Sequence, residues 1–375
     1  MRTRVLGLIL FSLMLSPLMA LDLRNVDLSH QYDPDAPIKL SYRVIQTGNT
    51  ITLFLEVTSD STVSWIRSFL VQENYSSEVH REITPILQEM VATSTSWKGS
   101  VSFEPSESES LAIIKYSSDF DFYFDIPLKN GTANHTSFYP VVEGSPVVQP
   151  YLRSNKLDWV NEPIVQVTNY EDFFGPAEAP MNEMGALVPI FREDSVFIMQ
   201  DSTFLRDYRF YFFQNDTLRD SGLTLLKTPP YYPEYRLIEE LIPPLKYITT
   251  EAEYRALSGT RRVQATFDEF WINTYGTKFR ARNAIRRYYR GVSLANEYFT
   301  SYKQGWKTDQ GMILIIYGTP IEMYRDDRGE RWVYDNVTYE FIKVPTLFGP
   351  IYVLLKDKKY EREWYDQVGQ IRKGE

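Results

Sequence analysis

The period of the hydrophobic pattern changes once along this chain, near Lys246, and that change sets what it can fold into. Before it, apolar residues recur at every second position. Leu40, Tyr42 and Val44, then Ile51, Leu53, Leu55 and Val57, alternate along two extended runs, 38–46 and 50–58, joined at Gly48-Asn49. That is a hairpin signal. Further strand candidates at 63–72, 97–103, 111–115 and 120–126, divided by Ser, Gly, Asn and Pro turns, suggest a sandwich over residues 21–143. A second β-rich stretch, 144–228, offers candidates at 147–152, 164–168, 195–200, 207–214 and 223–227, around an irregular loop at 174–180. Proline then crowds residues 229–245, which opposes helix and strand interiors and suggests an inter-domain connector.

After Lys246 the steps become three and four residues. Thr250-Glu-Ala-Glu253 has the spacing of a capping box and opens a short helix toward Gly259. A second helix is expected over 261–274, with Val263, Phe267, Phe270 and Trp271 on one side. A third is expected over 279–304, where Ala281, Ile285, Tyr288, Val292, Ala295 and Phe299 form a stripe and Gly305 stands at the C-cap position. The unbroken apolar run 312–317 predicts a strand buried on both faces. Strands at 321–325, 331–334, 339–344 and 351–356 continue a small sheet, and 359–372 reads as a closing helix. The expected fold is therefore multidomain, β plus α+β. Two β-sandwich-like N-terminal domains (21–143 and 144–228) and the connector precede a C-terminal α+β domain over 246–375.

The N-terminus reads as an address. Arg2 and Arg4 precede an apolar run of 11 residues, 5–15, which Ser16-Pro17 breaks, and Ala20 is the small residue placed for cleavage. This is the layout of a secretory signal peptide over 1–20. The run falls short of the roughly 20 residues of a spanning helix, so an uncleaved anchor is the rival reading. The expectation is export to the periplasm or outer envelope, with cleavage after Ala20 and membrane contact only through a partner or an uncleaved anchor. Composition narrows the chemistry. Cys is absent, which removes disulfides, thiol catalysis and thiolate metal sites. His occurs three times, at 30, 80 and 135, without ligand spacing. The net charge of −9 argues against nucleic acid as a partner. Losing residues 1–20 would remove Arg2 and Arg4 and leave −11.

Nucleophile-elbow, zinc-protease, phosphate-loop and dinucleotide motifs are all missing, so no catalytic residue, metal or cofactor is expected. Asp119-Phe-Asp-Phe-Tyr-Phe-Asp125 could gather carboxylates for a hard cation, but reads more simply as the wet face of a sandwich strand. Asp326-Asp-Arg-Gly329 suits a polar hairpin turn. Arg280, Arg282, Arg286, Arg287 and Arg290 concentrate positive charge on an acidic chain. They form either a solvated helix face or a docking face for an acidic polymer, an anionic lipid or a partner, with Arg282, Arg286, Arg287 and Arg290 as its candidates. The 27 Tyr, 22 Phe and 7 Trp could stack on sugars, but are more simply core and strand residues.

The most distinctive segment is Gly305-Trp-Lys-Thr-Asp309, followed by Gly311, the apolar run, and Gly318-Thr-Pro320. Trp306 can plug the space between helix and sheet, Thr308 and Asp309 can hold backbone groups of a tight connection, and Gly318 with Pro320 turns the chain. These residues resemble the GWxTD-domain family of exported bacterial proteins, found mainly in Bacteroidota and related phyla. Lys246-Tyr-Ile248, Phe267-Asp-Glu-Phe-Trp271, Tyr288-Tyr289, Ala295-Asn296, Trp332…Tyr334 and Trp364…Ile371-Arg372 extend the resemblance over 246–375, while Asn273-Thr-Tyr-Gly276 departs from it. The resemblance implies export and this architecture, and supplies no catalytic residue. The expected role is a non-catalytic exported envelope protein that binds envelope protein partners, as a scaffold or interaction component. A glycan- or peptidoglycan-binding module is the alternative. A hydrolase with an acidic site that includes Asp309 or Glu322 comes third.

Overall fold

A computed structural model describes residues 21–374, apart from 60–65, 94, 118, 130–134, 162, 165, 171–173, 183–184, 186–187, 200–204 and 219–220. The expected signal peptide lies outside the described residues, as do parts of the strand candidates at 63–72, 164–168 and 195–200.

The first β region is two antiparallel four-stranded sheets packed face to face. It comprises β1 (Ile38–Thr47), β2 (Thr50–Ser59), β3 (Ile66–Gln72), β4 (Arg81–Ile83), β5 (Ile86–Ala92), β6 (Ser96–Phe103), β7 (Leu111–Ser117) and β8 (Asp121–Pro127). One sheet runs β1-β2-β6-β5 and the other β4-β3-β7-β8. Thr47 pairs with Thr50 across Gly48-Asn49, so the hairpin forms where the sequence placed it. Leu53 and Val101 of one sheet meet Phe69, Ile114 and Ile126 of the other in a single core.

The second β region contains β9 (Tyr139–Val142), β10 (Ser145–Pro146), β11 (Tyr151–Leu152), β12 (Asp158–Val160), β13 (Gln166–Tyr170), β14 (Glu193–Phe197), β15 (Arg209–Gln214) and β16 (Leu223–Lys227). They form a three-stranded sheet, β10-β9-β12, and a five-stranded one, β11-β16-β15-β13-β14. β15 is buried on both faces. Its Tyr211 and Phe213 pack with Phe138 and Leu225, while Phe210 and Phe212 join Tyr232 and Phe348 of the C-terminal part.

The C-terminal part contains α1 (Ile238–Leu241), α2 (Glu251–Ser258), α3 (Val263–Tyr275), α4 (Lys278–Phe299) and α5 (Asp309–Tyr317), the meander β17 (Glu322–Asp326), β18 (Gly329–Val333), β19 (Thr338–Val344), β20 (Ile351–Leu354), and α6 (Glu361–Lys373). Helices, a small sheet and a closing helix thus follow the β-rich region in the expected order. The capping box of α2 is present, with Thr250 and Glu253 bonded reciprocally.

Four expectations need correction. Residues 312–317 are helix, because α5 is buried from Gln310 to Ile316 and needs apolar residues all round. α4 stops at Phe299 with Thr300 as its cap, so Gly305 is not a helix terminator. Residues 229–245, expected to oppose helix, are not free of it: α1 forms, Pro243 opens a 3-10 turn over Pro243–Tyr247, and Tyr232 is fully buried. Residues 21–36, expected in the first sandwich, lie partly on the C-terminal sheet. There Leu28 N–H donates to Met323 O (2.7 Å), and Met323 N–H donates to the Asp27 carboxylate (2.9 Å). No helix among the described residues is long and apolar enough to cross a membrane.

Candidate functional site

The Gly-Trp-Lys-Thr-Asp segment is a tight splice between α4 and α5. Gly305 and Trp306 sit in a buried 3-10 turn (Gly305–Lys307) laid against the end of α4. A Cβ on Gly305 would come within 1.9 Å of Ala295 O, and one on Gly311 within 2.0 Å of Gly305 O. Both glycines are therefore required by close backbone approach. Trp306 is 2% exposed and packs beside Tyr247. Its main-chain N–H donates to Asn296 Oδ1 (3.1 Å), and its indole N–H to Gln304 Oε1 (2.7 Å). Thr308 caps α5, accepting from Gly311 N–H and donating to Gly305 O (2.7 Å). Asp309 Oδ2 accepts from Leu354 N–H (3.0 Å), which ties α5 to β20. Gly318 ends α5 with φ +75°, and buried Pro320 leads into β17. Thr308 and Asp309 thus hold backbone groups, as the sequence suggested, but at the start of a helix.

One end of this splice opens on a cavity of about 290 Å³ between the first sandwich and the C-terminal part. Tyr42, Tyr75 and Asp125 face it from one side, and Tyr298, Tyr302, Asp309, Arg325 and Tyr352 from the other. Its floor is a buried ion cluster. Arg325 Nη1 donates to both Asp125 oxygens (2.6 and 2.7 Å), while Nε and Nη2 reach Glu330 Oε1 (2.8 and 2.7 Å). Tyr75 O–H and Gln31 Nε2 also donate to Asp125. Glu330 receives Tyr32 O–H, Gln310 Nε2 and Trp332 Nε1 at 2.8–2.9 Å. The two carboxylates share one guanidinium, and hydrogen bonds satisfy their remaining oxygens, the condition under which buried ions are tolerated. Burial alone would raise Asp125, but the Arg325 guanidinium outweighs it and holds the carboxyl below its ordinary range.

Asp125 overturns the wet-face expectation for β8. Asp121 on the same face is exposed, but the far end of the strand is covered by Gln31 and Arg325. No group of three or more His, Asp or Glu among the described residues could hold a metal. Asp309 lines the cavity and Glu322 does not, so the structure does not bring the two expected acids together there. The arginine face is exposed, and it is only partly committed. Arg290 pairs with Asp35 (3.1 Å) and Arg287 donates to Gly374 O (3.1 Å), whereas Arg280, Arg282 and Arg286 meet no acid among the described residues. Sequence reasoning missed Tyr42, Tyr75, Arg325 and Tyr352, which carry no local signal.

No curated protein matches the chain. A solved structure, that of Dpr11 IG1 bound to DIP-gamma IG+IG2, is 9% identical and aligns over 51% of this chain and 98% of its own. The TM-score is 0.17. The GWxTD domain matches residues 209–373. The match begins at β15, ahead of Lys246, and β15 is the strand whose Phe210 and Phe212 pack against Phe348. With its splice, its helices and its sheet accounted for, the chain is a GWxTD domain-containing protein.

Proposed function

We propose that the protein is a non-catalytic, exported component of the bacterial cell envelope that binds an acidic protein partner through α4. The observation that carries this reading is the exposed arginine face. Arg280, Arg282 and Arg286 stand without an acidic partner among the described residues, on a chain whose net charge is −9. The opposite face of the same helix, with Ala281, Tyr288, Val292 and Phe299, is core, so the arginines are held on a rigid element. The saturated Asp125–Arg325–Glu330 cluster supports the non-catalytic part, since none of its groups is left free to move a proton.

Cross-linked co-purification from native envelopes tests this, with wild type beside an Arg282→Ala/Arg286→Ala variant. These two positions avoid Arg287 and Arg290, which hold other parts of the chain. The expected result is a specific acidic partner captured by wild type and lost in the variant. A partner retained by the variant, or none captured at all, overturns the reading.

A further inference from the structure

The cavity beside the splice is lined by residues with polar groups that the protein does not use. The hydroxyls of Tyr42, Tyr298, Tyr302 and Tyr352 make no hydrogen bond to any described residue, and neither does the second oxygen of Asp309. This separates them from Tyr32 and Tyr75, whose hydroxyls are consumed by the ion cluster. The cavity therefore has a saturated floor and unsaturated walls.

We propose that this cavity binds one neutral pyranose sugar. Its volume of about 290 Å³ lies just below the roughly 300–1,000 Å³ of drug-sized ligand sites, which suits a single small ring. Most of the charges in its wall are already paired, which disfavours an ionic ligand. The Arg325 N–H groups are all engaged by Asp125, Glu330, Gln31 and Tyr32, so an anion finds no free guanidinium. Lys303 donates to Gly175 O and lies over the Tyr302 ring. A cation drawn to Asp309 would meet Lys303 in the same wall. What remains is a set of phenol hydroxyls that can donate or accept, one carboxylate oxygen that accepts, and aromatic rings with Pro127 and Pro350 for the C–H faces of a sugar. Tyr42, in the wall of the cavity, is 36% exposed. The site is separate from the arginine face and stands or falls independently of it.

The test is calorimetric titration of the purified full chain with glucose, galactose and N-acetylglucosamine, beside putrescine and inorganic phosphate as charged probes. The expected result is saturable binding of at least one sugar and none of either charged probe. Tyr352→Phe and Tyr42→Phe remove a hydroxyl and keep the ring. Each should weaken binding about three- to tenfold with an unchanged melting temperature. The Arg282→Ala/Arg286→Ala variant should bind as wild type does. Flat titrations with all three sugars, tighter binding of putrescine or phosphate, or sugar binding unmoved by both tyrosine variants would each sink the proposal.

Discussion

Gly305 and Gly311 show how much of the motif is spent on backbone proximity rather than on chemistry. Each lies where a methyl group would drive into a carbonyl oxygen, so alanine cannot be accommodated without moving α4 or α5. Gly305→Ala should cost about 3 kcal/mol or more in denaturant unfolding, while Gly369→Ala, where nothing lies within 4 Å, should be neutral or better. An equal response at the two positions would contradict the splice geometry. At this scale part of the candidate site was legible. Thr308 and Asp309 advertised themselves because Ser, Thr and Asp side chains compete for nearby backbone groups, and both do so. Asp125 was not legible, since its place in an alternating run gives it the periodicity of a solvated face. What buries it is Arg325, 200 residues away.

Elements with strong local signals formed as the sequence implied. The Gly48-Asn49 hairpin, the box at Thr250–Glu253 and the α4 stripe each rest on neighbours within one turn or one strand pair. α5 was misread because a short apolar run has no period, and burial on all sides erases the difference between a helix and a central strand. α2 also reaches beyond itself. Its Glu253 receives Arg372 of α6 at 2.7 and 2.9 Å, and these bonds bring its carboxyl down to about 2. The carboxyl titrates lower in the folded chain than its ordinary 4.5, so its stabilisation is complete above that pH and is lost as pH falls through about 2. The pair is partly exposed, so screening trims the effect. Glu253→Gln should destabilise by about 2 kcal/mol at pH 7, and the gap to wild type should close as unfolding is measured down toward pH 2. A gap independent of pH would show that the charge of the carboxylate does not carry the effect.

Across the whole molecule, the Asp125–Arg325–Glu330 cluster joins the first sandwich to the C-terminal sheet. Removing its one cation leaves two buried carboxylates facing each other. Arg325→Leu should therefore cost about 3–5 kcal/mol, and thermal unfolding should split into separate steps for the two parts. A single, barely shifted transition would show that the cluster does not couple them. The sequence could not reveal this seam, because it is made of contacts between residues hundreds of positions apart. The segment around Leu28 and Tyr32 carries a further consequence. Tyr32 meets Glu330 at a separation of 298 residues, and Leu28 docks on Met323. A chain that stops short of residue 322 would leave Leu28 and Tyr32 without their seat, and Asp125 without its counter-ion. Apolar surface of that kind, beside an unmatched charge, is what surveillance proteases and chaperones recognise. Incomplete synthesis is thus reported from the opposite end of the polypeptide, and only a molecule carrying both distant segments conceals the signal.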